Sequence, residues 1–452
     1  MRRSYGKMEA TKVLDAEKRK LPSGLVLAVG IAVAVGVQVL SILPVGSTIV
    51  RVAIGDFIIP FALLLVAYAY FVAGRRRPNW VVPQIDYALL GFLCLLGVAS
   101  LIGLYRTDTF IAWAWGPKFI GFGLLLAYFL VGVLVAEAGE HVQKKVVLSY
   151  IWTSWIIAAL ALFRFFVELN GLLLFGYLEF RPIGFSNNPN AFAFLLGTAL
   201  LLQIFAFPRS STKLRLASAV GLAIISATLF LIASRSVYLG LIFTAPAIIY
   251  FWRRLDWPVI LCAASLVPFI VVATTSNYDL FVDMLVTDSA IAHQRAIIAE
   301  IPLSYATRDS IVVDGGVASR WETMLMAFGI WRETPIFGVG LGGFMHYYAQ
   351  IHDGANFALH TSGIWLLTET GLVGLFYFLA IYIAFTLKNF KCANSNDSNL
   401  HTAVFCILLF SMGASIGTEI IYQRQLWLLV GLTAAHQGAW RISVASQSSK
   451  SA

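Results

Sequence analysis

The feature that most constrains this chain is a series of apolar stretches of roughly 17–25 residues between Leu25 and Trp440. A helix of that length crosses a hydrocarbon core about 30 Å thick. In lipid, a helix of this length satisfies its own backbone hydrogen bonds. A transmembrane β-barrel would instead show short alternating segments, which the sequence lacks. The sequence therefore predicts an all-α polytopic integral membrane protein.

Hydropathy predicts about 12 transmembrane helices. Their approximate cores are Gly24–Leu43, Phe57–Val72, Leu89–Tyr105, Gly116–Val135, Val146–Val167, Pro189–Phe207, Leu216–Ile232, Ser236–Trp252, Trp257–Ala273, Ser362–Thr386, His401–Ile416 and Leu426–Trp440.

The distribution of basic residues predicts the orientation. The net charge is +9, and most Lys and Arg residues fall in the two tails and in every second connection, as the positive-inside rule expects. This topology explains the basic excess, so no nucleic-acid partner is expected. The predicted organisation is a cytoplasmic tail (1–23), nine spans (24–273), a long external loop with amphipathic helices (274–360), three spans (361–440) and a cytoplasmic tail (441–452).

The long external loop contains a predicted amphipathic helix, SRWETMLMAFGIWRETP. Ser319 and Glu322 have capping-box spacing, and Pro335 ends the run. The predicted apolar face consists of Trp321, Met324, Leu325, Phe328 and Trp331. Such a helix lies on lipid headgroups, and it can also roof or flank a site for a lipid-linked substrate.

The next segment, PIFGVGLGGFMHYY, is rich in glycine. It has no preceding strand and no GK[ST] sequence, so it does not fit a phosphate loop. The glycines instead predict a tight, irregular backbone. The external histidines His293, His346, His352 and His360 fit no zinc-ligand spacing, and we expect neither a metal site nor a cofactor.

His360 lies directly before a predicted span, and Glu369 lies about two turns further along it. A histidine at a helix entrance can act as a general base, although an isolated one is more often a group bonded to water or headgroups. A carboxylate inside lipid must face the protein interior or be protonated. Arg164, in another predicted span, is a candidate partner for Glu369.

Several external arginines are not explained by the positive-inside rule. Arg181 precedes a Gly-, Asn- and Pro-rich turn, Arg235 lies in a tight turn between two spans, and Arg320 and Arg332 belong to the long loop. Each could anchor headgroups. Together they indicate a phosphate-bearing lipid substrate, because the guanidinium group grips phosphate through a planar fork of donors.

These features resemble the bacterial O-antigen ligase and polymerase superfamily. The resemblance rests on SRWETMLMAF, ETPIFGVGLGGF, the histidine at a span entrance and LTETGLVGLFYF, and on RPIGFSNNPNAFAFLLG and SRSVYLG earlier in the chain. The order of these segments, the number of spans and the single long loop agree with the superfamily over about three quarters of the chain. The first four spans carry little that is specific to it.

The resemblance implies a bacterial inner-membrane glycosyltransferase whose active site faces the periplasm. The donor would be a glycan on undecaprenyl pyrophosphate. The acceptor would be a sugar hydroxyl of lipid A–core in a ligase, or a second lipid-linked repeat unit in a polymerase. By matching positions, His360 would be the catalytic base, and Arg181, Arg235 and Arg320 would bind the donor pyrophosphate. Glu369 and Arg332 would have supporting roles, and the reaction would invert the anomeric centre without a metal.

Three other functions remain open at this point. A polymerase of O-antigen or exopolysaccharide shares the arginine–histidine arrangement with a ligase, and we favour the ligase because one long loop holds all the complex elements. A protein O-glycan transferase of the same superfamily is a further alternative. A lipid-linked oligosaccharide transporter also suits about twelve spans, but the two halves show no paired broken-helix pattern.

Overall fold

The structure is a computed structural model. It describes residues 23–37, 41–45, 48–55, 58, 84–169, 182, 184–186, 188–208, 210–254, 317–352, 357, 359, 361–396 and 398–434.

The described residues are almost entirely helical. In chain order the elements are α1 (Ser23–Gly36), β1 (Ser41–Val45), β2 (Thr48–Val52), α2 (Ile85–Thr107), a π-helical turn (Ala114–Ile120) continuing into α3 (Gly121–Glu137), α4 (Glu140–Leu169), α5 (Pro189–Ala206), α6 (Thr212–Ile232), α7 (Arg235–Tyr250), a 3₁₀ turn (Trp252–Arg254), α8 (Val317–Glu333), α9 (Gly343–Ile351), α10 (Ser362–Asn396), α11 (Asn399–Ala414) and α12 (Arg424–Ala434).

Within this part of the chain, six helices are long and apolar enough to cross a membrane. They span Ile85–Thr107, Ala114–Glu137, Glu140–Val167, Pro189–Ala206, Thr212–Ile232 and Ser362–Ser395. Helices α7 and α11 are apolar but shorter. These helices confirm the predicted helical membrane protein. The predicted spans at 57–72, apart from Ile58, and at 257–273 lie outside the described residues, so the total of twelve remains a prediction.

The first predicted span differs from the structure. Helix α1 ends at Gly36 instead of continuing to Leu43, and β1 and β2 then form an antiparallel hairpin in which Val45 pairs with Thr48. The residues SILPV and TIVRV are rich in β-branched side chains, which favour strands. Gly46 and Ser47 separate them in the sequence, a spacing typical of a two-residue hairpin loop. This hairpin departs from a purely all-α fold.

Helix α5 lies at the centre of the packed helices. Every residue from Ala191 to Phe205 is buried, and α5 packs against α4, α6, α7 and α11. It begins at Pro189, as predicted, because the Asn188 side chain caps it by accepting a hydrogen bond from the Ala191 amide at 2.8 Å. A helix that is apolar on all sides fits such an enclosed position.

Helices α3, α10 and α12 also pack against other helices of the bundle. Helix α12 packs on α3, where a side chain at Gly132 would lie 2.3 Å from the Leu428 carbonyl oxygen. Small residues at such crossings allow helix backbones to approach closely. Helix α10 contacts α2, α8 and α11. It continues to Asn396, beyond its predicted end at Thr386, because no helix-breaking residue lies between these positions.

Candidate functional site

The structure describes only part of the predicted site. Arg235 is the first residue of α7 and is exposed, and Arg332 is exposed in the last turn of α8. Arg320 lies near the start of α8, but its side chain is not described. His360 and Arg181 lie outside the described residues.

The turn that carries Arg235 is held by a chain of hydroxyl groups. Ser234 donates a hydrogen bond to the Asn190 side-chain oxygen at 2.8 Å and lies 3.1 Å from the Ser236 hydroxyl. The Ser236 hydroxyl lies 2.7 Å from that of Thr418. Thr418 belongs to residues 415–423, which connect α11 to α12 and are called the 415–423 turn below. The Arg235 turn is thereby fixed to the start of α5 and to the 415–423 turn.

The start of α10 is attached to the same turn. The Ile420 amide donates a hydrogen bond to the Ser362 hydroxyl at 2.8 Å, and that hydroxyl lies 3.4 Å from the Thr418 carbonyl oxygen. Ser362 is the first residue of α10 and follows His360 by two positions in the sequence. The 415–423 turn therefore joins the helix start next to His360 in sequence with the turn that carries Arg235.

An ion pair between a buried lysine and a partly exposed glutamate lies next to this junction. Lys118, in the π-helical turn, pairs its ammonium group with the Glu419 carboxylate of the 415–423 turn, and 3% of the Lys118 side chain is exposed. The ammonium group lies 4.4 Å, 4.6 Å and 4.4 Å from the ring centroids of Trp113, Trp365 and Tyr422. Aromatic faces attract a cation electrostatically, and more strongly when water is excluded. Three rings and one carboxylate therefore fix the position of this charge.

Glu369 is the second carboxylate beside Lys118. It is buried in α10, and the Trp365 indole N–H donates a hydrogen bond to it at 2.7 Å. Lys118 is the cation that acts on the Glu369 carboxylate electrostatically. Among the described residues, the cation that acts on Glu369 is therefore Lys118 and not the candidate Arg164. The prediction that Glu369 faces the protein interior is confirmed.

Tyr422 completes the cluster from the 415–423 turn. Its hydroxyl group donates a hydrogen bond to the Lys118 carbonyl oxygen at 3.0 Å. Burial, together with the negative charges of Glu419 and Glu369, raises the pKa of Tyr422 well above its usual value near 10. The phenol thus stays protonated and remains a donor at physiological pH. We call Lys118, Glu369, Glu419, Trp113, Trp365 and Tyr422 the lysine cluster.

Helix α10 is interrupted just after Glu369. Gly371 has φ 68° and ψ −168°, which is not helical, and a side chain there would lie 2.2 Å from the Ile336 carbonyl oxygen. The amides of Leu372 and Val373 donate instead to the carbonyl oxygens of Pro335 and Ile336, at 3.0 and 3.2 Å. The kink leaves these two backbone amides without acceptors inside the helix, and the carbonyl oxygens of another segment accept their hydrogen bonds instead. Backbone polar groups in lipid need such partners.

That segment is the glycine-rich stretch that follows α8. The Val339 and Gly340 amides donate to the Thr368 and Glu369 carbonyl oxygens at 2.9 and 3.0 Å. Gly338 and Gly340 have φ values of 70° and 90°, which residues with a side chain rarely adopt. The predicted irregular backbone is confirmed, and its role is to bind the kink of α10.

Helix α8 differs from its predicted form in two respects. It begins at Val317, so Ser319 lies inside the helix and is not its N-cap; Val317 and Ala318 are both compatible with helix. Ala327 is fully buried, and its carbonyl oxygen lies 3.4 Å from the Thr368 hydroxyl of α10. Trp321 and Leu325, from the predicted apolar face, are exposed. The aromatic face thus points away from the protein, while a small-residue face packs on α10.

Lys118 and Glu419 are not among the site residues predicted from the sequence. Lys118 falls inside the predicted span Gly116–Val135, and an ionisable residue within a span is by default a candidate for function. The same rule holds for Glu369 and for Lys118. The pairing itself joins positions 301 residues apart, and no local pattern in the sequence indicates it.

One known protein family matches part of the chain. Residues 220–379, roughly a third of the chain, match the family model described as O-antigen ligase. No curated protein matches the sequence. The matched stretch contains Arg235, α8, the glycine-rich segment, His360 and Glu369, whereas Arg181, Lys118 and Glu419 lie outside it. This match supports membership of the chain in the O-antigen ligase family.

Proposed function

We propose that the protein is an O-antigen ligase that transfers a glycan from undecaprenyl pyrophosphate to a sugar hydroxyl of lipid A–core, on the periplasmic face of the bacterial inner membrane. The family match supports glycosyl transfer of the ligase or polymerase type in lipopolysaccharide biosynthesis. The observation that carries the proposal is the junction at the 415–423 turn, where hydroxyl contacts attach both the Arg235 turn and the start of α10.

In the proposed reaction, His360 removes the proton from the acceptor hydroxyl. The acceptor oxygen attacks the anomeric carbon as the bond from that carbon to the phosphate oxygen breaks. Undecaprenyl pyrophosphate leaves with the electron pair, and attack from the opposite face inverts the anomeric configuration. A positioned general base contributes about 10²–10⁴-fold to such a step.

Arg181, Arg235 and Arg320 form the proposed pyrophosphate clamp. Pyrophosphate is already a good leaving group, and positive charges placed where its negative charge develops stabilise the transition state. In this proposal the arginines stabilise the negative charge on the leaving pyrophosphate, a role that a divalent metal ion could otherwise have. The exposed side chain of Arg235 is accessible to an anionic headgroup, and its turn is anchored on both sides by hydroxyl contacts. Arg332, exposed in the last turn of α8, would assist at the edge of the site.

Glu369 supports the site without contacting substrate. Its buried carboxylate binds the Trp365 indole one turn below the start of α10, and Lys118 lies close by. These contacts fix the first turns of α10, so they would hold the segment that contains His360 in a constant position relative to Arg235.

The test uses purified protein in detergent, with an undecaprenyl-pyrophosphate glycan and lipid A–core, and without added metal. Transfer of glycan to lipid A–core is the expected result. We expect His360→Gln to lower the rate by at least about 10²-fold. His141→Gln is the matched control. His141 is exposed in the first turn of α4, which begins just after α3 ends and lies outside the proposed site.

Other outcomes would contradict specific parts of the proposal. Longer glycans that remain on undecaprenyl pyrophosphate would identify a polymerase. Full transfer by inserted His360→Gln protein would exclude His360 as the base. The absence of any covalent product with either acceptor would favour a transporter.

A further inference from the structure

The lysine cluster contains one group that reaches the surface. Of its three charged side chains, Lys118 and Glu369 are enclosed, whereas 21% of the Glu419 side chain is exposed. Lys118 contacts one carboxylate oxygen of Glu419, Oε1. Among the residues that the structure describes, no protein donor contacts the other oxygen, Oε2. Glu419 thus offers a fixed acceptor oxygen to a ligand.

The position of Glu419 relates it to the proposed site. Its neighbour Thr418 contacts the Ser236 hydroxyl at 2.7 Å, next to Arg235, and lies 3.4 Å from the Ser362 hydroxyl at the start of α10. The carboxylate is therefore carried by the segment that joins these two parts of the proposed site. A ligand bound between them would lie beside the 415–423 turn.

The charge of Glu419 restricts what it can bind. A carboxylate repels a pyrophosphate group, so Glu419 does not suit the anionic end of the donor. It accepts charge-assisted hydrogen bonds from neutral hydroxyl groups, which sugars carry in abundance. In the proposed reaction the donor is already held by its pyrophosphate, whereas the acceptor sugar must be oriented so that one hydroxyl meets the base. The proposed reaction therefore also requires a side chain that orients the acceptor sugar.

We propose that Glu419, held in place by Lys118, binds hydroxyl groups of the acceptor sugar. This inference rests on the proposed function. Lys118 is a positioning residue in this arrangement, because it lies too deep to contact substrate and acts through Glu419. The aromatic rings around Lys118 prevent the ammonium group from turning toward other partners, so the free oxygen of Glu419 keeps one position.

The first test measures transfer kinetics of Glu419→Gln. Glutamine keeps the shape and an oxygen acceptor for Lys118, but it loses the negative charge. We expect the KM for lipid A–core to rise about 10-fold or more, since hydrogen bonds to a charged group are the stronger kind, while the KM for the donor stays within about twofold. A loss of packing alone would not act on one substrate selectively. Equal changes in both KM values, or no change in either, would overturn the proposal.

Glu140→Gln is the matched control. Glu140 also pairs with a lysine, Lys144, but both side chains are exposed at the far end of the α3 span, outside the proposed site. We expect its kinetic constants for both substrates to equal those of the wild type.

A second test needs no variant and no transfer activity. Water-soluble carbodiimide couples exposed carboxylates to an amine, and the modified peptide is quantified by mass spectrometry. In the full-length wild-type protein, the core oligosaccharide should slow the coupling of Glu419 without slowing that of Glu140. Unchanged coupling of Glu419 would overturn the inference, whether or not the protein transfers glycan. Failure of the proposed function would instead appear as absent transfer by the wild type.

Discussion

The two ends of the Ala114–Glu137 span each carry a lysine–glutamate pair, and the two pairs differ in almost every physical respect. Lys118 and Glu419 are 301 residues apart, and the lysine is enclosed by aromatic rings. Glu140 and Lys144 are one helical turn apart on α4, 61% and 69% exposed, with 2.7 Å between the charged atoms. The first pair joins two distant segments of the fold, the π-helical turn and the 415–423 turn, whereas the second lies within a single helix.

This difference shows why proximity of charges is a poor measure of their importance. Water and salt screen an exposed pair, whose net contribution is small. A buried pair has lost its hydration, so each charge depends on the other. The lysine cluster also places one ammonium group beside two carboxylates, and this arrangement makes the lysine its most sensitive member.

The largest effect should come from Lys118→Met. Methionine has a similar length but leaves the buried Glu369 and the partly exposed Glu419 beside each other without a cation. We expect the free energy of unfolding to fall by about 3–5 kcal/mol, as for other buried pairs that lose one partner. Thermal unfolding in detergent, followed by circular dichroism, measures the change. An unchanged unfolding temperature would mean that the pair contributes nothing to the fold.

A smaller loss in the free energy of unfolding is expected from Gly371→Ala. The variant to compare with it is Gly139→Ala, in the connection between α3 and α4. Both glycines have positive φ, but a side chain at Gly139 meets nothing within 4 Å, whereas one at Gly371 meets the Ile336 carbonyl oxygen. Strain and overpacking together predict a loss of about 3 kcal/mol at Gly371, and strain alone about 1 kcal/mol at Gly139. Equal unfolding temperatures for the two variants would contradict this difference.

The smallest effect should follow Lys144→Met. Removal of an exposed i,i+4 partner costs under about 0.5 kcal/mol, and salt should reduce even that. The difference in unfolding temperature between Lys144→Met and the wild type should therefore be smaller in 0.5 M salt than in 0.05 M salt. The screening lengths at these two concentrations are roughly 4 and 14 Å. A large, salt-independent loss would remove the contrast between the two pairs.

Sequence patterns predicted those parts of the fold that depend on local composition. Apolar length located the spanning helices, and Asn188–Pro189 marked the start of α5. The glycines after α8 indicated irregular backbone, but not that this backbone binds α10. Contacts between distant segments have no such signature. For this reason the sequence offered Arg164 as a candidate partner for Glu369 and did not indicate Lys118.

The same limit applies to the site. An arginine in a tight turn and a histidine before a span can be recognised locally, and the family match includes both Arg235 and His360. The hydroxyl chain from Asn190 through Ser234 and Ser236 to Thr418 is invisible in the sequence, because serine and threonine are common and their pairing depends on how helices pack. The hairpin after α1 was missed because its apolar, β-branched residues also suit a membrane helix.

The pairing of the glycine-rich segment with α10 has a consequence for biosynthesis. Leu341 donates a hydrogen bond to the Ala99 carbonyl oxygen of α2, and Gly340 donates to that of Glu369. The segment thus connects a helix made early with one made late, and Leu372 and Val373 obtain their partners only after ribosomal synthesis has passed the kink. This end of the protein is therefore completed late in synthesis, and a nascent chain truncated before residue 373 must leave the membrane insertion machinery without these backbone contacts.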